Sequence, residues 1–170
     1  MVAVLASGAV ADRLAVTGGT AVASTELTAF DAALFDAGIH DANLIRVSSI
    51  TPAVASVDND TDREAIVEEI VPGACYPAVY AASVADEPDT RVFAAVAGVE
   101  LDAGYGINVE CHGTNESEQT IRDRCRRMLC EMAEYREATL ASDVWFHHES
   151  RLVPDGQASW AGAVAAIVYF

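Results

Sequence analysis

Along most of the chain apolar residues come in short runs separated by turn residues, and only two stretches repeat at helical spacing. The first covers Thr25 to Ala37. Ser24 or Thr25 can cap it, Glu26 suits its positive end, and Gly38 supplies a left-handed exit. Leu27, Phe30 and Leu34 fall at i, i+3 and i+7 and predict its apolar stripe. The second covers Glu116 to Ala138, where Ile121, Cys125, Met128, Leu129, Met132 and Tyr135 would lie on a sheet. The other runs read as strands: Asn43 to Ile50, Ala74 to Val84, Arg91 to Leu101 and Ile107 to Cys111, then Asp143 to Leu152 and Ser159 to Phe170 around the turn Pro154-Asp155-Gly156. Met1 to Gly8 reads as a buried first strand, and the acidic stretch Ser56 to Glu69 as a short helix or an exposed connection. Val92 to Val99 is apolar at every position, which predicts a strand covered on both faces. Strands outnumber helices, so the pattern predicts an α+β fold with helices packed outside largely antiparallel sheets.

The chain has 170 residues, which suits a single domain spanning 1–170. No apolar run reaches the ~18 residues that span a bilayer, and the first residues lack the basic start of a secretory signal. A soluble cytoplasmic protein is expected. Twenty-six acids face ten bases, giving −16, and every base is arginine. Such a field repels phosphate backbones, so nucleic acid is not an expected partner. The one basic cluster, Arg122, Arg124, Arg126 and Arg127, is ringed by Glu116, Glu118, Asp123 and Glu131 and reads as a solvated helix face. Acid surplus, missing lysine and alanine-rich apolar content fit a halophilic protein, because near-molar salt shortens the Debye length to about 3 Å. Cys75, Cys111, Cys125 and Cys130 make no Cys-x-x-Cys pair, and His112, His147 and His148 do not complete zinc-ligand spacing. Buried free thiols and no metal are expected.

Four features could carry chemistry. A step of 100° per residue puts Asp31 about 40° from Leu27 and about 60° from Leu34, at the edge of the predicted stripe. Alternation on Ile107–His112 turns Asn108, Glu110 and His112 to one face, as an ordinary wet surface or as a pocket lined by a carboxylate. His147 and His148 are adjacent on a strand, so at most one could join a given site. The fourth feature is Ser48-Ser49, ending a strand, where by itself a serine pair favours turn chemistry. There is no Gly-x-Ser-x-Gly elbow for a hydrolase, and Thr17-Gly18-Gly19-Thr20 lacks the lysine of a phosphate loop.

Several blocks nevertheless resemble the pyruvoyl-dependent arginine decarboxylases. They are Ala29-Phe30-Asp31-Ala32-Ala33-Leu34, Ala37-Gly38-Ile39, and Asn43-Leu44-Ile45-Arg46-Val47-Ser48-Ser49-Ile50. Pro72-Gly73-Ala74 and Gly104-Tyr105-Gly106-Ile107-Asn108-Val109-Glu110 follow in the family's order. The resemblance implies a four-layer αββα sandwich and a proenzyme that cleaves itself into 1–48 (β chain) and 49–170 (α chain). It implies a homotrimer of two-chain units, or a hexamer of them. Ser49 Oγ would attack the Ser48 carbonyl, and elimination, hydration and loss of ammonia would leave a covalent pyruvoyl group at position 49. That group would form a Schiff base with a small amino-acid substrate, L-arginine, and release carbon dioxide and agmatine. Glu110 matches the general acid that protonates the α-carbon, Asp31 the carboxylate that binds the guanidinium, and Asn43 an asparagine near the pyruvoyl group that positions substrate or polarises a carbonyl, with Ser48 also among the substrate-binding residues. Two alternatives stay open: the same chemistry on another amino acid, or an uncleaved oligomeric binding protein on this scaffold.

Overall fold

A computed structural model describes residues 10–59, 62–155 and 159–170. The expected strand Met1–Gly8 and Gly156 of the expected turn lie outside the described residues. The described chain runs β1 (Arg13–Ala23), α1 (Glu26–Asp36), β2 (Asn43–Arg46), β3 (Ile50–Thr51), β4 (Ser56–Asp58), α2 (Arg63–Glu69), β5 (Cys75–Ala85), β6 (Arg91–Glu100), β7 (Gly106–Thr114), α3 (Glu118–Glu134), β8 (Trp145–Leu152) and β9 (Trp160–Tyr169). Both helices expected from periodicity are present, each shorter by a residue or more at either end. The acidic stretch holds both a strand and a short helix.

Five strands form one sheet in the order β2-β5-β9-β1-β4, and four form a second in the order β3-β7-β6-β8. Pairing is antiparallel except at the two edges of the larger sheet, where β2 runs parallel to β5 and β4 parallel to β1. The sheets stack on a core of Leu14, Val16, Val79, Val92, Val96 and Ile167. Helices α1 and α2 cover the outside of the larger sheet through Ala33, Leu34, Ile66 and Ile70. Helix α3 covers the outside of the smaller one through Ile121, Cys125 and Leu129. The architecture is therefore α+β, with helix, sheet, sheet and helix in that order. Strand β6 is buried from Val92 to Val99, alternating between the inter-sheet core and the α3 core, as its unbroken apolar run requires.

Three expectations need correction. The buried stripe of α1 is Ala29, Ala33 and Leu34, whereas Leu27 is 74% exposed. The reason is close approach: a Cβ on Gly19 of β1 would lie 2.4 Å from the Ala37 nitrogen, and one on Gly162 of β9 would lie 2.6 Å from the Ala29 carbonyl oxygen. Small residues on both sides bring the helix against sheet backbone, leaving no room beneath it for a leucine stripe. On α3, Tyr135 is the C-cap and is 88% exposed rather than packed on the sheet. Finally, Asn43–Ile50 is two strands in two sheets. Thr25 caps α1 in a reciprocal arrangement with Thr28, a device worth ~1 kcal/mol.

Candidate active site

The break in Asn43–Ile50 positions the site. Strand β2 ends at Arg46 on the edge of the larger sheet, β3 starts at Ile50 on the edge of the smaller one, and Val47-Ser48-Ser49 crosses between them. Branched residues on both sides of the serines let the sequence pattern run through this crossing. The backbone shows the change of sheet: Val47 N–H still donates to the Ala78 carbonyl (3.1 Å), but the Ser49 carbonyl already accepts from Asn108 N–H (2.9 Å) on β7. Between them the Ser48 carbonyl accepts a 2.7 Å hydrogen bond from Ile50 N–H, closing a tight turn with Ser49 at its apex.

Strand β7 supplies the groups facing this turn. Ile107, Val109 and Cys111 pack toward α3, which leaves Asn108 and Glu110 pointing between the sheets, as alternation predicts. Glu110 is partly buried. Its Oε2 lies 3.5 Å from Ser49 Oγ, at the outer edge of hydrogen-bond reach, and its Oε1 accepts from Arg46 Nη1 at 3.3 Å. The Arg46 guanidinium in turn sits over the Tyr80 ring, 4.4 Å from its centroid. Serine, carboxylate and arginine thus meet at one edge of the sandwich, contributed by both sheets.

Behind them lies a buried polar network. Asn108 is 1% exposed; its side-chain amide donates to Tyr169 Oη (3.1 Å) and to Thr51 Oγ1 (3.0 Å). Tyr169 Oη donates to the Ile50 carbonyl at 3.1 Å. Burial, assisted by the nearby Glu110 charge, pushes the Tyr169 hydroxyl up to about 12, so it stays a neutral donor. Gly98 leaves space for both the amide and the Trp145 ring, since a Cβ there would lie 2.4 Å from Asn108 Oδ1 and 2.3 Å from the ring.

Of the other sequence candidates, Ser48 alone lies in the crossing. Asn43 opens β2, at the opposite end from Ser49, and its side chain donates to the Gly73 carbonyl at 2.8 Å. Asp31 is exposed on α1, outside the larger sheet, on the same flank as Leu27. Ser48 is exposed in the crossing, and His112 is exposed on β7. The paired histidines face opposite ways: His147 approaches Gly18 of the larger sheet and sits 3.3 Å from Glu149, while His148 stacks near Phe146. Among the cysteines, Cys111 and Cys125 are buried with their sulfurs 3.3 Å apart, whereas Cys75 is exposed, against the expectation for all four. The sequence pattern assigns no role to Arg46, Thr51 or Tyr169. Arg46 interrupts an apolar strand, and that interruption is a usable signal. Tyr169 closes an apolar run and gives no such signal.

Known proteins share this chain's sequence over most of its length. A family model for pyruvoyl-dependent arginine decarboxylases matches residues 13–170. A pyruvoyl-dependent arginine decarboxylase of Methanopyrus kandleri is 37% identical over 158 residues, covering 93% of this chain and 96% of the relative. One from Methanothermobacter thermautotrophicus is 34% identical over 124 residues, 73% of this chain and 77% of the relative. One from Methanococcoides burtonii is 37% identical over 107 residues, 62% of this chain and 58% of the relative.

Proposed function

Because the chain belongs to the pyruvoyl-dependent arginine decarboxylase family, we propose that it cleaves itself between Ser48 and Ser49 and converts L-arginine to agmatine and carbon dioxide. The observation that carries this reading is the crossing itself. The serine that would become the prosthetic group sits at the apex of a turn, with its hydroxyl toward Glu110 and its carbonyl held by Asn108 N–H.

Cleavage needs a nucleophile and a polarised carbonyl. Ser49 Oγ is the nucleophile, and the 2.7 Å hydrogen bond from Ile50 N–H withdraws charge from the Ser48 carbonyl it attacks. The Ser49 hydroxyl proton passes to its own released amine as the peptide becomes an ester. Completion consumes one water and releases one ammonia, leaving chains 1–48 and 49–170. The donor that now holds the residue-49 carbonyl, Asn108 N–H, fits a carbonyl-bearing group at that position. When present, that group supplies an electron sink for decarboxylation. Glu110 delivers the proton to the α-carbon, and Arg46 holds Glu110 in place through its 3.3 Å contact and its seat on Tyr80.

Asp31 binds the substrate guanidinium. On its own chain Asp31 stands on the outer helix, away from Glu110, so the contact is made by assembly into a homotrimer of two-chain units, or a hexamer of them. The exposed Leu27 beside Asp31, and the exposed Val54 and Ile50 near the crossing, support such contacts. Asn43 is assigned to substrate positioning by the family resemblance, while on its own chain its amide is turned to the Gly73 carbonyl; the assembly works in the cytoplasm. The test is carbon dioxide release from arginine, ornithine and aspartate. Arginine should be turned over, and Asp31→Asn should raise KM for arginine about tenfold or more while leaving cleavage intact. Equal turnover of ornithine, or an unchanged KM in Asp31→Asn, contradicts the substrate assignment.

A further inference from the structure

Asn108 occupies a position that packing alone would give to an apolar residue. On the neighbouring strand β6, Gly98 lies opposite it and Val96 opposite Glu110, and the inter-sheet core nearby is built from valine, alanine and isoleucine. A buried amide there is costly unless fully bonded. It is bonded, and the space left by Gly98 is shared by the Asn108 amide and the Trp145 ring. The partners are informative. Asn108 holds the Ser49 carbonyl with its backbone N–H, and its side chain donates to Tyr169 Oη, which donates to the Ile50 carbonyl. Two consecutive carbonyls on the C-terminal side of the bond to be cut are thereby fixed, one by each sheet. The Ser48 carbonyl on the other side is tied back to Ile50 N–H.

We propose that Asn108 and Tyr169 are positioning residues for self-cleavage: they hold residues 49 and 50 so that Ser49 Oγ presents to the Ser48 carbonyl carbon. This rests on the cleavage reading above and adds to it two buried residues that reach the crossing from the core. The chemical step is the acyl shift already described, in which the C–O bond forms as the C–N bond breaks and the hydroxyl proton moves to the new amine. Neither Asn108 nor Tyr169 gains or loses a proton. They restrict the turn to the conformer in which the reacting atoms meet. Thr51, bonded to the Asn108 amide, completes the network and orients it.

The test follows cleavage in freshly synthesised full-length chain by denaturing electrophoresis, and turnover per cleaved chain separately. Tyr169→Phe keeps the ring and removes only the hydroxyl. It should slow cleavage about tenfold or more, while the fraction that does cleave turns over arginine at the wild-type rate. Val164→Ala is the control, because it loosens the outer core beneath α1 without touching either carbonyl. It should lower the melting temperature and cleave normally. Wild-type cleavage kinetics in Tyr169→Phe overturn the positioning role while leaving the self-cleavage reading in place. Equal slowing in Val164→Ala also overturns it, by assigning the effect to stability. A wild-type chain that never cleaves overturns both readings.

Discussion

Glu110 is held from two directions, by Arg46 from the larger sheet and by Ser49 from the crossing. That placement sets one carboxyl group beside the serine that the proposed reaction converts. Glu110→Gln preserves shape and still offers an oxygen to the Ser49 hydroxyl, so cleavage into two chains should continue. Glutamine has no acidic proton to give, and kcat per cleaved chain should fall by ~10²–10⁴. Single-turnover measurement on cleaved protein checks this, and normal kcat in Glu110→Gln would remove it from the proton-transfer step. At this scale the sequence is informative where chemistry and periodicity coincide. Two-residue alternation by itself turns Asn108 and Glu110 to one face. It says nothing of Tyr169, because a tyrosine ending an apolar strand looks the same whether or not its hydroxyl is used.

At the scale of elements, the strand–strand crossing decides where the site lies. The stretch Asn43 to Ile50, rich in branched residues, reads as one strand because local composition does not record which sheet a residue joins. The switch is made by long-range partners, Ala78 for Val47 and Asn108 for Ser49, which lie far along the chain. The same limitation affects α1. Ranking positions by hydrophobic size favours Leu27 and Phe30, whereas the helix seats on Ala29 and Ala33 against Gly19 and Gly162. Those two glycines lie in strands near opposite ends of the chain, and only the pairing of β1 with β9 brings them under one helix. Strand β1 itself is not legible locally, since Gly18-Gly19 at its centre reads as a turn unless the helix lying over it is taken into account. Elements whose own composition is decisive, such as the doubly covered β6 and the strongly periodic α3, are legible from sequence alone.

For the whole molecule, charge and assembly are linked. A net charge of −16 on 170 residues repels a second copy, yet the exposed Leu27 and Val54 offer surface that association would cover. If the chain is salt-adapted as its composition suggests, salt should decide between the two. At near-molar ionic strength screening acts within about 3 Å and apolar contact dominates, while at ~0.1 M the field extends to about 10 Å. Sedimentation should therefore show the oligomer dissociating, and arginine turnover falling with it, as salt drops well below molar. An intact, active oligomer at ~0.1 M salt would contradict this salt adaptation.

The central claim, that Ser49 is converted with scission of its bond to Ser48, is tested most directly by intact-mass measurement on denatured wild-type and Ser49→Ala protein. The account predicts two wild-type chains, residues 1–48 with a free carboxyl end and residues 49–170 beginning with a pyruvoyl group, the pair having gained one water and lost one ammonia relative to the uncut chain. Ser49→Ala, lacking the attacking hydroxyl, should remain a single chain of full length. A single unmodified wild-type chain, or two chains from Ser49→Ala, would contradict the account.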